Sequence, residues 1–150
     1  MRSHRAHKAW LVVSALVIGG FGPVFALGST EATSGAAAWT LDLLAWPVDG
    51  SQDLTAGTTR FLSALTGGFL LGWGVMVLAL RSWVYDQAPE GVRRSLLAGA
   101  LAWFVLDSLG SIASGTPSNA GFNVAVLLLV VGPLWWPATS RAAEPTGSLP

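Results

Sequence analysis

Long apolar segments separated by short polar connections dominate the chain from residue 10 to residue 136. A helix needs about 20 apolar residues to cross a bilayer core about 30 Å thick. Four segments approach this length, and only one carries a charge, which is Asp107 in the third segment. We therefore predict an all-α, integral membrane four-helix bundle in which one domain covers residues 1–136. The predicted spans are residues 10–27, 61–80, 95–112 and 120–136.

Basic residues predict the orientation of these spans. Cytoplasmic connections are enriched in Lys and Arg. If the amino terminus lies inside, seven of the eight basic residues fall on the cytoplasmic side, and only Arg60 falls outside. Trp10, Trp83, Tyr85, Trp135 and Trp136 then lie at the inner boundary, where amphipathic aromatic rings are common. Both termini are therefore predicted to be cytoplasmic. Residues 137–150, rich in Pro, Ala, Thr and Ser, are predicted to form a disordered tail.

The first apolar segment has two interpretations. It follows a basic amino terminus and ends near Val24-Phe25-Ala26, which resembles a signal-peptide cleavage site. However, it is longer than the 7–15 residues that are usual for a signal sequence, which favours a retained helix. Both interpretations give the same orientation for the other three spans. Gly19, Gly20, Gly22 and Pro23 are expected to weaken or kink such a helix near its outer end.

Composition narrows the class of protein. Hydrophobic residues make up 52% of the 150 residues and charged residues 11%, with a formal net charge of zero. This balance excludes a disordered chain and disfavours nucleic-acid binding, which needs a dense basic surface. The chain has no cysteine, and its histidines, His4 and His7, precede the first span. We therefore predict no metal site, no haem cofactor and no enzymatic activity.

The connection between the first two spans is long and contains a candidate helix over residues 36–46. Trp39, Leu43 and Trp46 share one face of this helix, and Pro47 ends it. One interpretation is a short interfacial helix in the outer headgroup region. The other is a lid on the outer mouth of the bundle, with the tryptophans as its core.

Small residues form stripes on the second and third spans. Ala64, Gly68 and Gly72 recur every four residues, which is a close-packing motif of membrane helices. Gly67 and Gly74 form a second thin face, and Gly99 lies in a similar stripe on the third span. These faces predict packing within the bundle or, alternatively, a homodimer interface.

Asp107 is the charged residue most expected to have a specific role, because it is the one charged residue within the four predicted spans. A carboxylate near the middle of a span costs about 2.5–3.5 kcal/mol on insertion scales, so it is expected to face the bundle interior and a polar partner. Ser108 and Ser111 are close in sequence, and Asn119 and Asn123 begin the fourth span at a similar level. We predict a polar cluster of Asp107, Ser108, Ser111 and Asn123, with Arg60 reaching it from the second span. The cluster either binds a ligand or ion or ties the helices together.

The chain resembles an uncharacterised family of small four-span bacterial membrane proteins. The resemblance involves residues 59–62, 67–68, 72–74 and 103–111, together with Gly115 and Asn119. It implies a topology but no mechanism. Together with the four apolar helices, it leads us to expect a bacterial inner-membrane location. The primary functional hypothesis is a non-catalytic accessory or structural subunit, which contacts the lipid bilayer and a membrane protein partner. The alternative is a protein that handles a small solute or ion at the Asp107 cluster.

Overall fold

The computed structural model describes residues 2–138, and every regular element in this part of the chain is helical. Pro89 and Pro117 occupy the first turns of the last two α-helices, where the missing amide hydrogen of proline costs no hydrogen bond. The α-helices are α1 (Arg2–Leu27), α2 (Gly35–Ala45), α3 (Gly57–Ala79), α4 (Pro89–Ala113) and α5 (Pro117–Val131). A π-helical turn, Leu80–Val84, extends α3, and a 3-10 turn, Gly132–Trp135, extends α5.

Four helical segments are long and apolar enough to cross a membrane, which confirms the predicted all-α, four-span fold. They are His4–Leu27, Gly57–Val84, Pro89–Ala113 and Pro117–Trp135. Each overlaps one predicted span. The first and fourth begin earlier than predicted, and the second and third extend beyond both predicted limits. The predicted tail, residues 137–150, falls almost entirely outside the described residues.

The bundle has two distinct ends. The terminal end holds the start of α1, the α3–α4 connection and the end of α5, which are joined by side-chain contacts such as Lys8 with Asp86 and Arg93 with the Leu134 carbonyl. The loop end holds α2 and the α4–α5 connection, where Ser118 Oγ donates to the Leu44 carbonyl at 2.7 Å. α1 packs along α3, α4 packs against α5, and α1 also contacts α5.

Glycine faces bring α1 and α3 together at backbone distance. A Cβ atom built on Gly67 would lie 2.6 Å from the Gly22 carbonyl oxygen and against the Ala26 amide. One built on Gly74 would lie 2.7 Å from the Gly19 Cα. Because these neighbours are backbone atoms, they cannot move aside as a flexible side chain can. α1 continues as one helix through Gly19, Gly22 and Pro23. Its glycines Gly19 and Gly22 do not end the helix but lie against α3.

The prediction that Gly68 and Gly72 form the internal packing face is wrong. A Cβ atom on either glycine would have no neighbour within 4 Å. The reason is that α1 approaches the Gly67 and Gly74 side of α3, which leaves Gly68 and Gly72 exposed, while Ala64 of the same stripe is half-buried. Gly99 lies beside α3, since a Cβ atom built on it would be 3.8 Å from the Trp73 ring, an ordinary van der Waals contact.

Buried side chains connect α1 to both of its neighbours through hydrogen bonds. Ser14 Oγ donates to the Val130 carbonyl of α5 at 2.6 Å. Ser63 Oγ of α3 donates to the Phe25 carbonyl at 2.7 Å. The apolar core includes two clusters of buried side chains, and the partly buried Trp73 packs against both of them.

Charged side chains at the terminal end form two groups. Asp86 accepts from Lys8 at 2.6 Å and pairs with His4 at 3.0 Å. The pKa of Asp86 is lowered by the Lys8 hydrogen bond, with a smaller contribution from His4. Glu90 pairs with Arg93 at 2.6 Å and with Arg94 at 2.9 Å. The Asp86 contacts join the α3–α4 connection to the start of α1, whereas the Glu90 pairs lie within α4.

The sequence position of Tyr85 predicts an aromatic residue at the membrane interface, but the structure buries it inside the protein. Its side chain is 0% exposed, and its hydroxyl has no hydrogen-bond partner within the described chain. Burial raises the pKa of the phenol, and the negative charges of Asp86 and Glu90 raise it further. Trp83, Trp135 and Trp136, by contrast, are exposed.

We expect Tyr85 to ionise above the ordinary tyrosine pKa of about 10. Because its folded-state pKa is raised, its stabilising contribution is complete below pH 10 and is lost as the pH rises through the folded-state value. Tyr85 is the only tyrosine in the sequence, so the rise in absorbance at 295 nm with increasing pH reports its ionisation above the constant absorbance of the tryptophans. A midpoint at or below the value of the denatured chain would contradict the burial, and Tyr85→Phe provides the blank.

The loop-end helix α2 packs against α1 and α5. Its buried contact is made by Ala37, which joins Phe25 and Leu54 in an apolar cluster. Trp39 and Trp46 are 60% and 61% exposed, so the interpretation in which tryptophans form the core of a lid is wrong. The buried side of the helix holds Ala37, Thr40 and Asp42, while the tryptophans face outward, as an interfacial helix requires.

Candidate ligand-binding site

A tight turn places the polar residues of α4 and α5 opposite one another. Gly115 has a φ of 84°, a conformation that favours glycine. The amides of Gly115 and Thr116 donate to the carbonyls of Ile112 and Ser111, respectively, which is the Schellman arrangement that ends a helix. Pro117 starts α5 immediately afterwards. Consequently, the first turns of α5 lie beside the last turns of α4.

Two amide side chains of α5 converge on one oxygen of Asp107. Asn123 Nδ2 donates to Asp107 Oδ2 at 2.6 Å, and Asn119 Nδ2 donates to the same oxygen at 3.0 Å. These two residues are one helical turn apart, so both face α4. The other carboxylate oxygen, Oδ1, accepts no hydrogen bond from the residues that the structure describes.

The same amides also contact the two predicted serines. Asn119 Nδ2 donates to Ser111 Oγ at 2.8 Å, and Asn123 Nδ2 donates to Ser108 Oγ at 3.2 Å. Asn123 and Ser111 are buried, whereas Asp107, Ser108 and Asn119 are half-buried. The structure therefore brings together Asp107, Ser108, Ser111 and Asn123, as predicted, and adds Asn119.

An open groove with a volume of about 570 Å³ runs along the α4 face beside this cluster. Its lining changes character along the helix: Trp103 and Leu106 are farthest from the loop end, and Ser111 and Ser114 are nearest to it. The six lining residues are Trp103, Leu106, Asp107, Gly110, Ser111 and Ser114. This volume falls within the range of about 300–1,000 Å³ that is typical of small-molecule sites.

Hydrogen-bond donors in the polar part of the groove are already engaged. Ser111 Oγ donates to the Asp107 carbonyl at 2.7 Å, and Ser114 Oγ donates to the Ser111 carbonyl at 3.0 Å. A hydroxyl has one hydrogen to donate but can still accept. The polar part of the groove, formed by Asp107, Ser111 and Ser114, is called the polar wall. It offers two hydrogen-bond acceptors to a ligand, Asp107 Oδ1 and Ser114 Oγ. The indole N–H of Trp103, two helical turns below Ser111, is the donor that remains on the lining side chains.

Arg60 does not join the cluster. It forms no hydrogen bond or ion pair with Asp107 in the described structure, although Asn119 and Asn123 both contact that carboxylate. The physical reason is that α3 packs along α1, whereas α4 packs against α5. Asp107 thus accepts hydrogen bonds from amide donors and forms no ion pair among the side chains that the structure describes.

Comparisons of the chain with protein-family models, with curated proteins and with solved structures found no match. The groove beside Asp107 is therefore the feature from which a function can be inferred.

Proposed function

We propose that this chain is a non-catalytic, multi-pass protein of a bacterial inner membrane that binds a ligand in the groove beside Asp107. The observation that carries this proposal is the free Oδ1 atom of Asp107 at a groove of about 570 Å³. A carboxylate in an apolar setting is costly unless it is paired, and two amide donors satisfy only one of its oxygens. A ligand that carries positive charge or N–H donors would complete the arrangement.

Binding, rather than catalysis, fits the chemistry of the groove lining. Asp107 is the one titratable side chain among the six lining residues. General acid–base catalysis commonly combines a proton donor with a second group that accepts a proton or orients the first. Asn119 and Asn123 orient Asp107 but do not exchange protons at ordinary pH.

Thermal unfolding with added primary alkylammonium salts tests the binding function. We expect butylammonium or decylammonium to raise the unfolding midpoint of the wild-type protein in lipid nanodiscs, since a ligand bound only by the folded state stabilises it. Asp107→Asn should lose this effect because the amide carries no negative charge. Asp53→Asn, an equal charge change at the exposed loop end, should retain it. If neither salt raises the unfolding midpoint of the wild-type protein, or if Asp107→Asn shows the same rise, the proposed function is wrong.

We also propose that both termini face the cytoplasm and that the loop end faces outward. The distribution of basic residues supports this orientation. The absence of cysteine from the sequence allows a direct test with single-cysteine variants. Ser51→Cys in the outer connection should react with a membrane-impermeant maleimide in spheroplasts, whereas Gln87→Cys should react only after permeabilisation. The opposite labelling pattern would reverse the orientation.

A second candidate function is that of an accessory subunit that associates through α3. The supporting observation is that Gly68 and Gly72 face outward, with nothing within 4 Å of the position that a Cβ atom would take on either residue. Small residues on an exposed membrane-helix face allow another helix to approach closely. The occupant would be a helix of a membrane protein partner or of a second copy of this chain.

A further inference from the structure

We propose that the groove beside Asp107 selects an amphiphile with a primary ammonium group, which enters from the surrounding lipid. This inference deepens the proposed binding function and depends on it. It rests on three features of the groove. Asp107 Oδ1 accepts no hydrogen bond within the described chain, the hydroxyl donors of the polar wall are engaged, and Trp103 and Leu106 form an apolar floor.

The polar wall discriminates between ligand head groups. Asp107 Oδ1 and Ser114 Oγ can each accept a hydrogen bond, while the hydroxyl hydrogens of Ser111 and Ser114 are bound to backbone carbonyls. An ammonium group supplies both N–H donors and positive charge. A phosphate or sulfate group would place negative charge beside Asp107 and would find no free hydroxyl donor there.

A metal cation fits this groove less well than an organic cation. Calcium takes six to eight oxygen ligands, whereas the side chains here offer Asp107 Oδ1 and Ser114 Oγ. No group of three or more His, Cys, Asp or Glu residues could hold a metal ion within the described chain.

The apolar floor indicates that the ligand has a hydrocarbon body. Trp103 and Leu106 lie on the side of the groove away from the loop end, about one helical turn or less below Asp107. Leu106 is 72% exposed, so this floor is open to the lipid. An ammonium group at Asp107 would therefore direct an attached alkyl chain over Leu106 into the bilayer. The polar-to-apolar order along α4 matches that of an amphiphile.

Competition binding tests this specificity. The full chain is embedded in nanodiscs of zwitterionic lipid, and binding of radiolabelled decylammonium is measured with empty nanodiscs subtracted. The competitors are butylammonium, decyltrimethylammonium and decyl sulfate. We expect decylammonium to bind several-fold more tightly than butylammonium when the two are compared at equal concentrations within the bilayer, because only its alkyl chain is long enough to make van der Waals contacts along Leu106 and Trp103. Decyltrimethylammonium has no N–H donor and should bind about tenfold more weakly or worse, and decyl sulfate should not compete.

Two variants separate the head-group and hydrocarbon contributions. Asp107→Asn should abolish saturable binding. Leu106→Ala changes an exposed side chain, so the fold should persist. Decylammonium affinity should fall several-fold, because the alkyl chain loses its van der Waals contacts with Leu106, while butylammonium affinity changes little. The Tyr85 absorbance titration confirms that each variant is folded.

Each contrary result has a defined meaning. If butylammonium and decylammonium compete equally through Asp107, the amphiphile inference is overturned and the proposed function stands. If decyl sulfate competes as well as decylammonium, the head-group selectivity is overturned. If no ligand binds in an Asp107-dependent manner, both the inference and the proposed function fail.

Discussion

Replacement of Gly67 by leucine is expected to cause the largest loss of stability of any single change considered for this chain. The first added carbon would meet the Ala26 amide and the Gly22 carbonyl oxygen, the latter at 2.6 Å. Because these are backbone atoms of α1, the helices must move apart to accept the side chain. We expect the free energy of unfolding to fall by about 3 kcal/mol, at the upper end of typical overpacking costs. Thermal unfolding in mild detergent, followed by size-exclusion chromatography and tryptophan fluorescence, measures this change.

Gly68→Leu is the matched control, one residue along the same helix. Its added side chain has open space within the chain, so we expect the unfolding free energy to change by about 1 kcal/mol or less. Equal destabilisation by the two variants would contradict the observed α1–α3 interface. The control also tests the accessory function: if Gly68→Leu leaves the monomer folded but dissociates a complex in the native membrane, the outward stripe is an assembly surface.

Asp107→Ala is expected to produce the second-largest effect, because it removes the acceptor shared by Asn119 and Asn123. Both amides would then lack their 3.0 Å and 2.6 Å hydrogen bonds to Asp107 Oδ2. Hydrogen bonds between membrane helices contribute about 0.6–2 kcal/mol each, so we expect a combined loss of about 2 kcal/mol. Removal of the carboxylate also removes the free-energy cost of placing it in the membrane. This gain does not offset the loss if the separated helices remain inserted, because the folded and unfolded states of the wild-type protein then bear the same cost.

Asp107→Asn provides the control for this prediction. Its carbonyl oxygen can still accept a hydrogen bond at the same position, so it should cost less stability than alanine while it abolishes ammonium binding. Equal unfolding midpoints for the wild-type protein and Asp107→Ala would show that the cluster does not tie α4 to α5. The two variants therefore separate the structural contribution of Asp107 from its ligand-binding contribution.

The four-span fold could be predicted because segment length and lack of charge are direct requirements of a bilayer. The polar cluster was also predictable in large part. A connection of three residues, Ser114 to Thr116, joins α4 to α5, so Asn123 must return to the level of Asp107. Asn119 lies one turn earlier on the same face, and its spacing of four residues from Asn123 is the signal that could have placed it in the cluster.

Which faces of the helices pack together was not predictable from the sequence. Gly68 with Gly72 and Gly67 with Gly74 are both plausible close-packing pairs, and the choice depends on the side from which α1 approaches α3. Arg60 illustrates the same limit: its position near one end of α3 suggested a partner for Asp107, but α3 and α4 pack against different neighbours. Tyr85 has an interfacial sequence position, yet tertiary packing buries it completely.

The binding site can be observed through its two asparagines, which are the only asparagines in the sequence. With selective nitrogen-15 labelling of asparagine, nuclear magnetic resonance of the nanodisc-embedded protein shows side-chain amide signals from Asn119 and Asn123 alone. Because both amides donate to Asp107 Oδ2, charge placed at Oδ1 should alter both signals. Our account predicts saturable shifts of both signals with decylammonium and none with decyl sulfate. Unchanged signals at saturating decylammonium, in a protein shown to be folded, would contradict the assignment of Asp107 as the ligand-binding residue.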